Sequence, residues 1–292
     1  LDKSNVNVQL DQMGFAPTNY DMVKKAIQSP NGMCLVTGPT GSGKTTTLYS
    51  CLNAIKGPDI NICTVENPVE YKIKYINQVQ VRPEIELNFS TVLRAFLRQD
   101  PDVIMLGEIR DEETASIAVE AALTGHLVFA TLHTNDAASA VTRLIEMGVE
   151  PYLVASAVIG VGGQRLVRKI CPSCKTAYKP DGEALELLAE HGHENADLFK
   201  GKGCLTCRRT GYAGRTAIHE IMTINDEIHG LILKSVSARD IRQAAIRGGM
   251  RTMRVDGIFK AVRGVTTIDE VMRLTRGEEV RRAIATSAES EQ

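Results

Sequence analysis

The sequence has no excess of charge of either sign. Its 292 residues carry 34 Lys+Arg against 35 Asp+Glu, a formal net charge of −1. Domains that hold nucleic acid by releasing counterions from phosphates are usually markedly basic, so the bulk charge gives no such footprint. Long apolar runs are missing too. The uncharged stretch between Glu150 and Arg165 carries three glycines and is shorter than the roughly 18 apolar residues a membrane span needs. There is no internal repeat, no low-complexity block and no signal-peptide pattern after Leu1. These absences predict a cytoplasmic, globular segment of a longer protein with no membrane insertion. With 43% hydrophobic and 24% charged residues, the chain has the composition of one large or two ordinary domains.

What is present is an alternation. Apolar runs at 33–37, 60–65, 103–106 and 127–132 read as buried strands, and helical patterns at 20–28, 44–55, 91–99, 112–123 and 136–147 separate them. Asn19 is read as the N-cap of the first of these helices. Strand alternating with helix predicts an α/β fold with a mainly parallel sheet covered on both faces. Past Arg165 the pattern changes to a strand at 166–170, a charged helical stretch at 182–191, a returning strand at 214–224 and then short helices. The predicted organisation is an upstream remnant at 1–17, a nucleotide-binding core at 18–164, a tetracysteine insert at 165–215, a C-terminal helical subdomain at 216–277 and a tail at 278–292 that frays.

The first motif with chemistry is Gly38-Pro39-Thr40-Gly41-Ser42-Gly43-Lys44-Thr45, which fits G-x-x-x-x-G-K-[ST] at every fixed position. Glycines let successive N–H groups turn inward around phosphate oxygens, and the helix that follows aims its positive end at the same anion. Lys44 is placed to reach the β- and γ-phosphates, Thr45 to ligate Mg²⁺, and Thr46 to continue the binding turn. An acid on the metal side is expected at the end of a neighbouring strand. Asp102-Val103-Ile104-Met105-Leu106-Gly107-Glu108 supplies Glu108, acting through water.

With these pieces in view the chain resembles the C-terminal motor domain of the type II secretion and type IV pilus assembly ATPase family, over about 13–275. The phosphate loop is shared by many families. More specific are Thr64-Val65-Glu66-Asn67-Pro68-Val69-Glu70-Tyr71, similar to the family's acidic box with Asn67 where Asp is typical, and the segment 100–111 ending Gly107-Glu108-Ile109-Arg110-Asp111. The fourth landmark is 124–135, similar to the histidine box with His126 and His133. The resemblance implies a RecA-like P-loop NTPase core that uses ATP and Mg²⁺. It also implies a homo-oligomeric ring, a hexamer, recruited to the inner membrane by a platform protein and a cytoplasmic adaptor, with arginine fingers supplied largely from upstream. Glu70, one strand over from the loop, is read as the carboxylate that polarises water, with Glu66 the alternative. His133 and His126 bracket a strand with odd spacing, so they face opposite sides. His133, at the C-terminal end where ligands of parallel sheets collect, is the better γ-phosphate sensor, and His126 is alternatively a core or interface histidine.

Of seven cysteines, Cys34, Cys51 and Cys63 read as small buried residues. The others form two C-x-x-C pairs, Cys171/Cys174 and Cys204/Cys207, separated by the 29 residues from Lys175 through Gly203. Two such pairs make the closed tetrahedral set of a structural Zn²⁺ site, against a redox dithiol or an iron–sulfur cluster. In the family, this insert marks assembly and secretion motors, which points to extension of a pilus or pseudopilus. Two other classes stay open: a nucleotide-switched, zinc-stabilised interaction module, and a nucleic-acid translocase. The acids Glu66, Glu70 and Glu108 weigh against the first. The neutral charge weighs against the second, with Arg242, Arg247, Arg251 and Arg254 forming a local basic cluster read as a solvated or interface face.

Overall fold

The computed structural model describes residues 8–275; the expected tail at 278–292 and the first part of the expected upstream remnant lie outside them. The parallel strands are β1 (Gly32–Thr37), β2 (Ile62–Glu66), β3 (Asn77–Gln80), β4 (Val103–Leu106), β5 (Leu127–Leu132) and the long β6 (Val158–Ile170). Four of these six, β1, β2, β4 and β5, follow from the apolar runs, whereas the polar β3 and the glycine-bearing β6 do not. Among them run α1 (Pro17–Ile27), α2 (Lys44–Ile55), α3 (Phe89–Phe96), α4 (Glu112–Leu123), α5 (Ala137–Glu146) and α6 (Pro151–Ala157). After these come β7 (Lys175–Tyr178), α7 (Gly182–Ala189), β8 (Leu198–Gly201), β9 (Tyr212–Thr223), α8 (Asp226–Leu233), α9 (Ala238–Arg247) and α10 (Met253–Val262).

Strands β1, β2, β4 and β5 are buried at every position, which is why they read as continuous apolar runs and not as alternating ones. Period-2 alternation sorts their side chains to two cores. Met33, Leu35, Ile104, Leu106, Val128 and Ala130 face the helices α3 to α6 on one side. Cys34, Val36, Val103, Met105, Leu127 and Phe129 face Leu48, Tyr49 and Leu52 of α2 on the other. The sheet order is β3-β2-β4-β5-β1-β6-β9. Pairing is parallel for β1 with β5 and β6, β2 with β3 and β4, and β4 with β5.

Two expectations are corrected here. The first helix starts at Pro17, not Tyr20, and its N-cap is Ala16. Proline fits the first helical position because the N–H it lacks would have no partner there; Asn19 is buried inside the first turn. Glu70 and Glu108 are also not on strands adjacent to β1. Strand β5 separates β4 from β1, and β4 and β5 both separate β2 from it.

The chain forms two compact units, one of residues up to Gln164 with Glu220–Met250, the other of Arg165–His219 with residues from Arg251 on. The expected helical subdomain at 216–277 is therefore divided. Helices α8 and α9 bury Ile228, Ile232, Ile241, Ala244 and Ala245 in the core of the first unit. In the second unit, Leu187 and Leu188 of α7 and Leu198 of β8 pack with Ile258, Ala261, Ile268 and Val271. The cysteine segment thus shares its apolar core with the last helices instead of standing alone. Among the described residues no helix is long and apolar enough to cross a membrane.

Candidate active site

The segment between β1 and α2 is a cradle. The backbone O of Gln164 lies 2.4 Å from where a Cβ on Gly38 would sit, at φ +146, so only glycine fits that turn. Lys44, the first residue of α2, donates from Nζ to Gly38 O at 2.7 Å and to Pro39 O at 3.3 Å. Burial pushes its ammonium below the usual range, and the negative charge of Glu108 acts in the opposite sense. The Ser42 hydroxyl is buried and has no hydrogen-bond partner among the described residues. An orphaned hydroxyl inside a glycine-rich loop, at a helix N-terminus, fits a bound phosphate group. Thr45 and Thr46 are exposed at the start of the same helix.

Glu108 follows β4 and is nearly buried. Its Oε2 accepts from Arg110 Nε at 2.7 Å and lies 3.3 Å from His133 Nε2. His133 follows β5, and two threonines hold that turn against the end of β1. Thr37 Oγ1 donates to Thr134 O at 2.9 Å and accepts from Thr134 N at 3.0 Å. Thr131 Oγ1 donates to Gly107 O at 2.6 Å, fixing the ends of β4 and β5 to each other. Lys44, Glu108, Arg110 and His133 therefore collect at the C-terminal edge of the parallel strands, where ligands of such sheets bind.

The acidic box behaves differently at its two ends. Glu66, the last residue of β2, is buried and accepts from Thr64 Oγ1 at 2.6 Å, from Gln78 Nε2 at 3.2 Å and from the Tyr49 hydroxyl. Burial and the Glu66 carboxylate push the Tyr49 phenol well above its usual range, so it stays a donor. Glu70 lies beyond the strand and is exposed. Its neighbour Tyr71 packs edge-on against Tyr49, ring centroids 4.8 Å apart, which pins the loop that carries Glu70.

The family described as "Type II/IV secretion system protein" matches residues 1–273. The chain belongs to that family. It is 54% identical over 277 residues to the type IV pilus assembly ATPase PilB of Thermus thermophilus, covering 94% of this chain and 31% of that protein. It is 50% identical over 276 residues to the type II secretion system protein HxcR of Pseudomonas aeruginosa, covering 94% and 55%. The chain thus spans from about a third to about half of the relatives it matches. A crystal structure of the pilus retraction motor PilT with bound ADP covers 92% of this chain and 67% of that one, at TM-score 0.69 and 29% identity.

In this secretion-system family member the fold brings Glu108 and His133 together at the phosphate loop, and it leaves His126 out. His126 precedes β5 and His133 follows it, so seven rises of 3.3 Å put their backbones about 23 Å apart. The His126 ring is half-buried, with Nδ1 2.9 Å from Ala121 O at the end of α4. The residues of the basic cluster are divided between the two units. Arg242 pairs with Glu220 at 3.5 Å and Arg247 with Glu227 at 2.7 Å in the first unit, while Arg251 and Arg254 belong to the second. Sequence reasoning missed Tyr49, hidden in an apolar helix face, and Gln164, which lies on β6 far from any motif.

The four cysteines come together in the second unit, with all four sulfurs within 4.8 Å of one another. Cys171 and Cys204 are 3.9 Å apart, Cys174 and Cys207 3.8 Å, and Cys204 and Cys207 3.7 Å. A regular tetrahedron with metal–sulfur bonds of ~2.3 Å has sulfur–sulfur edges of ~3.8 Å, so the set is shaped to hold a metal. Backbone N–H groups of Cys204 and Gly211 donate to Cys207 Sγ at 3.2 and 3.3 Å and pull that thiol down to about 6. Gly201 and Gly211 cross at close range; a Cβ on Gly201 would sit 2.1 Å from Gly211 O, so neither position accepts a side chain.

Proposed function

We propose that this chain is the ATP-hydrolysing, Mg²⁺-dependent part of a cytoplasmic motor that assembles a type IV pilus or a type II secretion pseudopilus. The observation that carries the reading is the placement of buried Lys44 beside the Glu108–His133 pair at one edge of the sheet. ATP enters as substrate, its phosphates against the loop amides of 38–44 and Lys44. Thr45 and Glu108 would hold Mg²⁺, which supplies charge neutralisation on the phosphate oxygens. His133, oriented by Glu108, is placed to report on the terminal phosphate. Glu70 is the residue we assign to orienting the attacking water. It has the open carboxylate of the acidic box, whereas Glu66 already accepts three hydrogen bonds. Phosphoryl transfer depends mainly on such positioning and charge stabilisation.

The names of the relatives and the tetracysteine set support assembly over retraction. The same resemblance supports a homo-hexameric ring acting on an inner-membrane platform protein and recruited by a cytoplasmic adaptor. It supports a RecA-like core as well. Neither the neutral charge nor the ion-paired Arg242 and Arg247 supports a nucleic-acid substrate.

The test is phosphate release from Mg-ATP with three proteins side by side. Glu70→Gln is expected to lower turnover by about 100-fold while ATP binding changes little, since it removes a water-orienting charge and leaves the cradle intact. Turnover at the wild-type rate would transfer the role to Glu66, and Glu66→Gln would then show the loss. A wild-type protein with no Mg-ATP hydrolysis, alone or in the assembled ring, would refute the motor reading.

We assign zinc to the cysteine set because four thiolates at tetrahedral spacing with no open position form a closed, structural site. Elemental analysis is expected to give about one zinc per chain. Replacing Cys204 and Cys207 with serine should raise amide exchange from Cys171 to Gly211 and leave the first unit's unfolding transition in place. The cluster of Leu187, Leu188 and Leu198 with Ile258 and Val271 should keep α7 and β8 partly protected. Iron in place of zinc, or no metal with unchanged exchange, would overturn the assignment.

A further inference from the structure

Gln164 stands 122 residues beyond Ser42 of the phosphate loop in sequence, yet it is wired into it. The parallel register of β1 with β6 sets Thr37 opposite Gly163, which brings Gln164 level with Gly38. Its side chain is buried, and both ends of its amide are used. Nε2 donates to Ser42 O at 2.7 Å, and Oε1 accepts from Thr47 Oγ1 at 2.7 Å. Thr47 sits in the first turn of α2, so the amide ties the loop to the helix that follows. Ser42 lies outside that helix's own ladder, whose first bond runs from Thr47 N to Gly43 O.

The consequence is geometric. In a trans peptide the C=O and the following N–H point in opposite directions. Holding Ser42 O on Gln164 therefore turns the Gly43 N–H the other way, into the concave side of the loop where an anion would lie. A free loop peptide could flip, because the glycines at 41 and 43 offer little resistance to either orientation. We propose that Gln164 is a positioning residue for phosphate binding, aiming the Gly43 N–H and so setting affinity for the phosphate chain of the nucleotide. It rests on the nucleotide-binding reading above, and it adds a residue outside every motif to the machinery of that site.

The experiment is calorimetric titration of the whole chain with ATP, ADP and inorganic pyrophosphate, joined to steady-state turnover. Gln164→Met keeps length and volume and removes both hydrogen bonds. All three ligands are expected to bind about 10-fold more weakly, the equivalent of one lost well-aligned contact to a charged group. At saturating ATP, kcat should change by less than about 3-fold, because the contact serves ground and transition states alike. A residue that served only packing would lower the unfolding midpoint and leave pyrophosphate affinity unmoved. Thr47→Val, which strips the partner of Oε1, should weaken pyrophosphate binding by about 3-fold, and Thr47→Ser should restore it. The threonine pair keeps the test decisive if Gln164→Met fails to fold. Equal pyrophosphate binding by Gln164→Met and wild type, or by Thr47→Val and Thr47→Ser, overturns the proposal and leaves the nucleotide reading standing. No binding of any of the three ligands by the wild type overturns both.

Discussion

Lys44→Ala is expected to abolish measurable ATP turnover, a fall of about 1000-fold or more, the scale seen when a preorganised charge-stabilising group is deleted. The residue is the cation carried by the loop itself, and its Nζ is already held over the loop carbonyls of Gly38 and Pro39. A phosphate chain entering the cradle therefore meets a cation whose position is set in advance, so little ordering remains to be done at binding. Nucleotide affinity should fall together with turnover, unlike the Glu70 variant, because in the proposed site the ammonium would contact substrate before and during transfer. Folding stability should hardly change. Burial already disfavours the charged ammonium, so removing it relieves a desolvation cost while it loses two hydrogen bonds. Equilibrium titration with ATP and a thermal melt on the same sample would check both halves. Wild-type turnover in the variant would sink the site assignment.

Glu108→Gln should separate binding from chemistry more sharply than any other change at the site. The amide keeps the shape of the side chain and can still accept from Arg110 Nε, now 2.7 Å away. What disappears is one negative charge beside Lys44, Arg110 and His133. Turnover is expected to drop by about 100-fold, since the proposed metal-side charge and the partner of His133 would go together. ATP binding should hold or tighten, because the phosphates no longer face a carboxylate. A variant that turned over normally would mean that Glu108 is only the ion-pair partner of Arg110.

The parts of the site that were legible in the sequence are those made by contiguous residues. A phosphate loop needs glycines, a lysine and a hydroxyl in a row, so 38–45 could be read directly, and the buried run 103–106 led to Glu108 in the same way. Strand order could not be read, because it depends on pairings across the whole chain. The placement of Glu70 one strand over from the loop failed for that reason. Gln164 was invisible for the same cause. Its role exists only once β6 lies beside β1, and the glycines at 160, 162 and 163 hide that strand from a propensity argument. Histidine spacing could not separate the two residues, because His126 and His133 lie beyond opposite ends of β5 and not on its two faces. The division of 216–277 was missed because short amphipathic helices look alike whichever core they cover, and only the packing of Ile228 and Ile241 against the first unit distinguishes them.

Neither unit is a continuous stretch of chain, and this matters when the protein is made. Synthesis runs from the N-terminus, and a nascent domain closes only when its last element has left the ribosome. The sheet's first unit lacks α8 and α9 until Met250 has emerged, although its phosphate loop is complete about two hundred residues earlier. All four cysteines emerge in that interval. The apolar faces of α5 and α6 wait through that interval for their last partners, and Leu187, Leu188 and Leu198 wait longer still, until Ile258 and Val271 have followed.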